Sequence, residues 1–412
     1  MPAGCVGKGV IDIRTILTNG TVITPIRTLP DRAVILENGR IAAVVPSSNV
    51  EAHEGDRLID VGGKYIAPGF IDIHTHGAGG HDFMDGTVEA IMEGARTHLR
   101  YGTTTILPTT LTSNLDELFD TFAKFAQAKA ELKDGPNLHG LHLEGPYFSK
   151  EQAGAQDPRY IKNPDPAEYQ RIVEASSDIK RWTIAPELPG ALEMGRYLPE
   201  RGILCSIGHS NAVYEEVVAA VENGFKHVTH LYSAMSGVRR INAYRYAGVI
   251  ESALLLDELT VEVIADGVHL PKSLLQLIYK VKGPDRICLV TDSMRGAGMP
   301  EGESILGSLK DGQRVIIEDG VAKLLDRSAF AGSVSTSDRL VRTMVQIAEV
   351  PLVDAVKMVT LTPAKVLGLE YRKGIVGPGK DADLVVFDSA INVSLVLVGG
   401  EIRFSKDQEV SS

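Results

Sequence analysis

Between residues 70 and 292 the chain repeats one pattern eight times: a short run of apolar and β-branched residues, then a stretch long enough for a helix. The runs are FIDIHTH (70–76), GTTTILPT (102–109), LHGLHLE (138–144), RWTIAPE (181–187), ILCSIGH (203–209), FKHVTH (225–230), TVEVIAD (260–266) and ICLVTD (287–292). Continuous apolar blocks suit strands buried on both faces, and strand–helix alternation is the pattern of a parallel sheet. The intervening segments, among them VEAIMEGARTHLRY, LDELFDTFAKFAQAKAEL, NAVYEEVVAAVENG and PKSLLQLIYKV, carry apolar residues at helical spacing. SDRLVRTMVQIAEV and PLVDAVKMVTLTPAKVLGL supply further helices after the last run. Eight repeats favour closure over an open sheet, so the expected fold class is α/β, a (β/α)8 TIM-like barrel.

A different texture occupies the two ends. ILTNGTVITP, AVILENGRIAAVVP and DRLIDVGGKYIAPG are short β-rich runs separated by turn residues, and the same texture returns in KGIVGPGKDADLVVFD and LVLVGGEIRFSK. NG in the first half and GG in the second mark tight turns. Both ends are therefore expected to build one small β-sandwich domain, residues 1–65 and 370–412, around a barrel of residues 66–369.

Composition limits the partners. With 412 residues, 44% apolar and 23% charged, the chain has ample material for a core. A net charge of −11 argues against a nucleic-acid or anionic-membrane surface, while leaving room for one small anionic ligand. Cys5, Cys205 and Cys288 are far apart and form no C-x-x-C pair, which suits free thiols in a reducing compartment. The first residues lack the apolar segment of a secretory signal, and no apolar run approaches the ~20 residues of a membrane helix. The expectation is a cytoplasmic protein with no nucleic-acid and no membrane partner.

The placement of His, Asp and Glu is the informative part. Six of the eight runs end on or just before such residues: His74 with His76, Glu144, His209, His230, Asp266 with His269, and Asp292. In a (β/α)8 enzyme the C-terminal ends of the strands form the active-site face, so these residues should converge. One histidine at a strand end is usually structural; recurrence over six strands points to a metal site. His74 and His76 are two apart and share a face. Imidazoles with a carboxylate suit zinc or iron, whereas magnesium or calcium would take oxygen ligands. An ion held by Glu144, His209 and His230 keeps positions for water and a substrate carbonyl, and Asp292 can take the water's proton and return it to a leaving amine. The bland alternative for Asp292 is a buried structural carboxylate bonded to Ser293 or Arg295. His53, His81, His98, His139, His142 and His227 fall away from the strand ends and read as structural or exposed.

PGFIDIHTHG, LHLEGPYFS, SIGHS, THLYSAMS, IADGVHL, LVTDSM, FAGS and PGKDADLVVFD occur in this order over most of the chain. In these blocks the sequence resembles the N-acetylglucosamine-6-phosphate deacetylases of the amidohydrolase superfamily. The resemblance implies hydrolysis of N-acetylglucosamine 6-phosphate to glucosamine 6-phosphate and acetate in amino-sugar catabolism. It implies Glu144, His209 and His230 as the main metal ligands, with His74 and His76 able to hold a second ion, so one or two divalent ions, zinc or iron. Asp292 matches the catalytic acid/base, and His269 the residue that polarises the acetyl carbonyl. Arg245 resembles the arginine that meets the sugar phosphate, its alternative being a loop arginine beside Arg239 and Arg240. Ala155, Gln156, Ser233, Ala234, Asp266, Phe330, Ala331 and Gly332 fall on substrate-contact positions. A homodimer is implied, in which the neighbouring subunit completes the phosphate pocket.

Three features depart from the family pattern. Gln156 stands where many members carry histidine and Ser233 where many carry asparagine, and GVRRINAYRYAG is longer than the usual connection. These are expected to touch the sugar and phosphate contacts and not the metal, which leaves an epimer such as N-acetylgalactosamine 6-phosphate open. A cyclic amidase of dihydroorotase or hydantoinase type would place a lysine at the end of the fourth strand, where RWTIAPE offers Glu187 instead. A barrel kept only as a scaffold should lack several ligands, and this one has the full set.

Overall fold

The computed structural model describes residues 14–406; residues 1–13 and 407–412, placed above in the small β-domain and including Cys5, lie outside the described residues. The eight runs form eight strands: β1 (Phe70–Thr75), β2 (Thr103–Thr110), β3 (Leu141–Glu144), β4 (Ile179–Ile184), β5 (Leu204–Ile207), β6 (Phe225–Val228), β7 (Thr260–Val263) and β8 (Ile287–Leu289). Each pairs in parallel with the next, from β1 to β8. Closure comes just past the strand ends, where the Asp292 amide donates to the His74 carbonyl at 2.9 Å and the His76 amide to the Ser293 carbonyl at 2.8 Å.

Helices shield the barrel for the reason their spacing suggests. In Leu115–Glu131 the apolar stripe Leu118, Phe122 and Phe125 is buried, and the Asn114 side chain accepts the Glu117 amide at 2.9 Å to cap the first turn. In Val88–Arg100, Ile91, Ala95 and Leu99 face inward, with Thr87 as the cap. Outward-facing strand residues such as Leu143, Trp182, Cys205, Val228 and Leu289 join this main core. The barrel's interior is more polar. His142, Arg181, Thr183, Ser206, His227 and Glu262 are all fully buried.

The ladders stop earlier than the sequence runs do. His209, His230 and Asp292 lie beyond the last paired residue with φ of 49°, 28° and 44°, a left-handed backbone uncommon for residues with a Cβ. The chain turns sharply there, which re-aims each side chain from along the sheet to over the barrel mouth. Holding such a conformation costs about 1–3 kcal/mol per residue, so the surroundings must enforce it.

Both ends of the chain meet in one eight-stranded sheet. Thr15–Ile23, Thr28–Glu37, Arg40–Pro46, Arg57–Asp60 and Tyr65–Pro68 come from the first part, and Leu384–Phe387, Val393–Val398 and Glu401–Ser405 from the last. The seam is the antiparallel pair Tyr65–Pro68 with Leu384–Phe387, in which Ala67 faces Val385. Leu17, Val34, Leu36, Ile66, Leu384 and Leu397 share one core. Asn38-Gly39 and Gly399-Gly400 turn as read, with φ of 51° and 70° and of 58° and 81°, whereas Asn19-Gly20 lies inside the strand Thr15–Ile23, where the pairing register shifts as in a bulge.

Several β elements were not anticipated, among them a short antiparallel pair, Gly77–Ala78 with His81–Asp82. A three-stranded antiparallel sheet, Gly302–Leu306, Gln313–Glu318 and Val321–Leu324, follows β8, and a hairpin, Arg239–Ile241 with Tyr244–Tyr246, projects after β6. Cys205 and Cys288 are buried free thiols. Among the described residues no helix is long and apolar enough to cross a membrane.

Candidate metal centre and active site

Six side chains, from β1 and the residue just past it, from β3, and from the turns after β5, β6 and β8, meet over the barrel mouth. In one group, Glu144 Oε1 lies 3.1 Å from His209 Nε2 and 3.0 Å from His230 Nε2, and the two ring nitrogens are 3.2 Å apart. In the other, Asp292 Oδ1 lies 3.3 Å from His74 Nε2 and 3.2 Å from His76 Nε2. Glu144 joins the groups, with Oε2 3.2 Å from His76 Nε2. Within each group all the candidate ligand atoms lie within 4.8 Å of one another.

The donor set suits a cation of zinc or iron type. His209 Nδ1 lies 2.8 Å from the Gln152 carbonyl, which can only accept, so the proton sits on Nδ1 and the Nε2 lone pair faces the cluster. His74 Nδ1 is likewise engaged by Glu262 Oε2 at 2.9 Å, and its buried Nε2 has no hydrogen-bond partner. Nitrogen lone pairs converging on a carboxylate are stable around positive charge. The local electrostatics agree. Burial pushes the carboxyls of Glu144 and Asp292 up, but the neighbouring histidines outweigh it and hold both below their ordinary values. Burial pushes His76 down, yet Asp292 and Glu144 raise it to about 9. The carboxylates demand positive charge, which imidazolium or a divalent ion can supply.

Asp292 has neither of the partners its bland reading required. Arg295 is paired with Asp85 at 2.8 Å, and the Ser293 hydroxyl donates to the Gly77 carbonyl at 2.9 Å. The Asp292 carboxylate instead faces the cluster and a cavity of about 450 Å³, within the usual range for small-molecule sites.

Ala155, Gln156, Ser233, Ala234, His269, Phe330 and Gly332 line that cavity with His76, Glu144, His209, His230 and Asp292. His269 is oriented by Asp266, whose Oδ2 lies 2.7 Å from Nδ1 while Oδ1 accepts the amides of Val268 and His269, both at 2.8 Å. That geometry leaves Nε2 as the ring's outward-facing nitrogen.

Four expected substrate contacts sit differently. Asp266 is buried and braces His269 without lining the cavity. Ala331 is fully buried in the core of the three-stranded insert, because the chain between Phe330 and Gly332 turns its side chain away. Arg245 is exposed on the hairpin and does not line the cavity of its own chain. Gln156 touches the metal group after all: its amide donates to Glu144 Oε2 at 2.7 Å and its oxygen accepts the Thr112 amide at 2.8 Å.

Three of the histidines left aside have local partners. His142 lies between Thr109 at 3.2 Å and Thr183 at 2.7 Å, His98 meets Thr75 at 2.9 Å, and His227 meets Thr260 at 2.6 Å. Burial pushes His98 and His227 down to about 4. Sequence reasoning missed Glu262 and Arg181, a fully buried ion pair between β7 and β4 beneath the cluster. The signal was a charge inside each of two otherwise apolar or β-branched runs, TVEVIAD and RWTIAPE, since a buried charge requires a partner.

A (β/α)8 barrel with histidines and carboxylates gathered at its strand ends defines a metal-dependent amidohydrolase. The sequence profile of the amidohydrolase family matches residues 65–403. The N-acetylglucosamine-6-phosphate deacetylase of Lysinibacillus sphaericus is 36% identical over 389 residues, covering 94% of this chain and 97% of its own. The N-acetylgalactosamine-6-phosphate deacetylase of Escherichia coli O157:H7 is 31% identical over 375 residues, 91% and 95% of the two chains. A solved structure of a Mycobacterium smegmatis N-acetyl-D-glucosamine-6-phosphate deacetylase variant, in complex with N-acetyl-D-glucosamine-6-phosphate, superposes with a TM-score of 0.86 at 30% identity, covering 95% of this chain and 100% of that one. The chain belongs to the N-acetylglucosamine-6-phosphate deacetylase family of the amidohydrolases, hydrolases of carbon–nitrogen bonds.

Proposed function

We propose that the protein hydrolyses the acetamide of N-acetylglucosamine 6-phosphate, releasing acetate and glucosamine 6-phosphate in cytoplasmic amino-sugar catabolism. The observation that carries this reading is the Asp292 carboxylate set beside the Glu144–His209–His230 group on the wall of a cavity of about 450 Å³. Glu144, His209 and His230 would hold one divalent ion, and His74 and His76 beside Asp292 a second, with zinc or iron suited to these donors. An ion bound there acidifies water and polarises a carbonyl.

The chain's own groups then divide the work. Asp292, kept ionised by His74 and His76, takes a proton from the water that attacks the acetyl carbon. It passes that proton to the sugar nitrogen as the carbon–nitrogen bond breaks, so the amine leaves neutral and acetate keeps the water's oxygen. His269, oriented by Asp266, addresses the acetyl oxygen. Ser233, Ala234 and Phe330 bound the space for the sugar.

Arg245 is assigned to the phosphate, acting from the exposed hairpin across a homodimer interface into the neighbouring cavity. Its exposure and its absence from the wall of its own chain's cavity support this assignment. The gluco configuration is favoured because the Lysinibacillus relative is more similar than the Escherichia enzyme named for the galacto epimer. An acetate-release assay over N-acetylglucosamine and N-acetylgalactosamine, each with and without 6-phosphate, plus a cyclic amide, tests the reading. N-acetylglucosamine 6-phosphate should give the highest kcat/KM; a higher value for any other member overturns it.

A further inference from the structure

Beneath the candidate metal groups, one carboxylate oxygen touches both. Glu262 Oε2 lies 2.9 Å from His74 Nδ1 and accepts the backbone amide of His230, also at 2.9 Å. His74 belongs to one group and His230 to the other. The remaining oxygen, Oε1, is held by Arg181. Arg181 is itself fixed by the Ile73 carbonyl at 3.2 Å, the Ser206 hydroxyl at 2.9 Å and the Thr229 hydroxyl at 2.7 Å. Both side chains are fully buried, where leaving either without its partner is costly.

We infer that Glu262, oriented by Arg181, is a positioning residue for the metal centre: it fixes the His74 ring so that Nε2 is the ligand atom, and it pins the left-handed turn at His230. This rests on the two-ion reading given above. A guanidinium has donors and no acceptor, so it selects which carboxylate oxygen it binds and leaves the other facing His74 and His230. An ionised carboxylate oxygen only accepts, so the His74 proton stays on Nδ1 and the Nε2 lone pair is presented to the ion. The same oxygen satisfies a buried amide at a residue with φ of 28°, where an unmade hydrogen bond would add to the backbone's own cost.

The pair makes a directional prediction for Glu262→Gln. Arg181 cannot accept a hydrogen bond, so it draws the amide oxygen to itself and turns the NH2 toward His74. That NH2 donates to Nδ1, forces the ring proton onto Nε2 and blocks the ligand atom, while the His230 amide loses its acceptor. Adding Arg181→Met removes the competing donor, and the amide oxygen can return to His74 and His230. The single variant should therefore lose what the double variant regains.

The test is zinc binding to the full-length protein, stripped and retitrated, with ions per chain counted by elemental analysis and folding followed by circular dichroism. Wild type and Arg181→Met/Glu262→Gln should hold the same complement. Glu262→Gln should, like His74→Ala, bind the ion of the His74 group about 10–100-fold more weakly, and, because the His230 amide loses its acceptor, should also bind the ion of the Glu144 group less tightly than His74→Ala does. A wild-type complement and affinity in folded Glu262→Gln overturns the inference, as does a double variant depleted as deeply as the single one. If Glu262→Gln does not fold, Arg181→Met/Glu262→Met removes the acceptor without stranding a charge and must lose the His74 ion; full binding there also overturns it. If His74→Ala binds as many ions as wild type, the two-ion reading fails and takes this one with it. If His74→Ala loses an ion and Glu262→Gln does not, this inference alone fails.

Discussion

In the proposed reaction the barrel mouth would carry the chemistry and the Arg239–Tyr246 hairpin the phosphate recognition, and the two regions are built in opposite ways. At the mouth, His74 is fully buried, Glu144 nearly so, and each is engaged by other residues before any ligand arrives. On the hairpin, Arg245 is exposed and Tyr244 retains 73% of its surface. Reacting groups must be held to a fraction of an ångström before substrate binds, so they sit where packing fixes them. A group that only grips a charged tail tolerates more freedom and can be lent by a neighbour.

The largest effects should fall on the mouth. Glu144→Ala removes the carboxylate common to both groups, and bound metal measured by elemental analysis should drop together with turnover; unchanged metal content would break the ligand assignment. Asp292→Asn should keep the fold and lower kcat by about 10²–10⁴, the usual worth of a general acid/base. A near-normal kcat in a steady-state assay would remove Asp292 from the chemistry.

The hairpin should show a smaller and different effect. Arg245→Ala should raise KM for the phosphorylated sugar by roughly 10–100-fold with kcat little changed, as expected for a charged hydrogen bond equally strong in ground and transition states. Mixing Arg245→Ala with Asp292→Asn protein sharpens the contrast: hybrid dimers with one intact site should recover activity if the arginine acts across the interface. No recovery would return Arg245 to its own chain.

The smallest effect concerns stability. Burial holds His98 near a pKa of about 4 in the fold, below the ordinary value of about 6.5. The unfolded chain therefore binds the proton first, and stability is lost as pH falls from about 6.5 toward about 4. Relative to wild type, His98→Asn should relieve roughly 2 kcal/mol of that loss at pH 5, read as a shallower fall in denaturation midpoint. Parallel curves would show that His98 does not contribute.

The two regions also differed in legibility. Glu144, His209, His230, His74, His76 and Asp292 could be read because each lies at the end of a hydrophobic run, and a barrel sends all such ends to one place. The hairpin could be read only as length, since the proposed role of Arg245 rests on a neighbouring subunit that its own sequence does not describe. Glu262 and Arg181 went unread because each looks like an isolated charge in a strand, and only the curvature of the sheet brings β4 and β7 face to face across the barrel. Ala331 and Asp266 are off the cavity wall because a turn decides a single residue's direction and a motif does not. The three-stranded insert has ordinary alternating strands that nothing distinguished from loop.

The pairing of Ala67 with Val385 sets an order of events during synthesis. The strand Tyr65–Pro68 leads through Gly69 into β1 and leaves the ribosome before the whole barrel does, yet one of its two neighbours, Leu384–Phe387, is made only after the barrel. Until Leu384–Phe387 arrives, that strand presents a row of unpaired backbone groups, the kind of edge on which other chains add. A stalled or truncated product lacking the last strands would carry a nearly complete barrel and an open edge together. Such a chain should be recovered as aggregate, however well its metal site is formed.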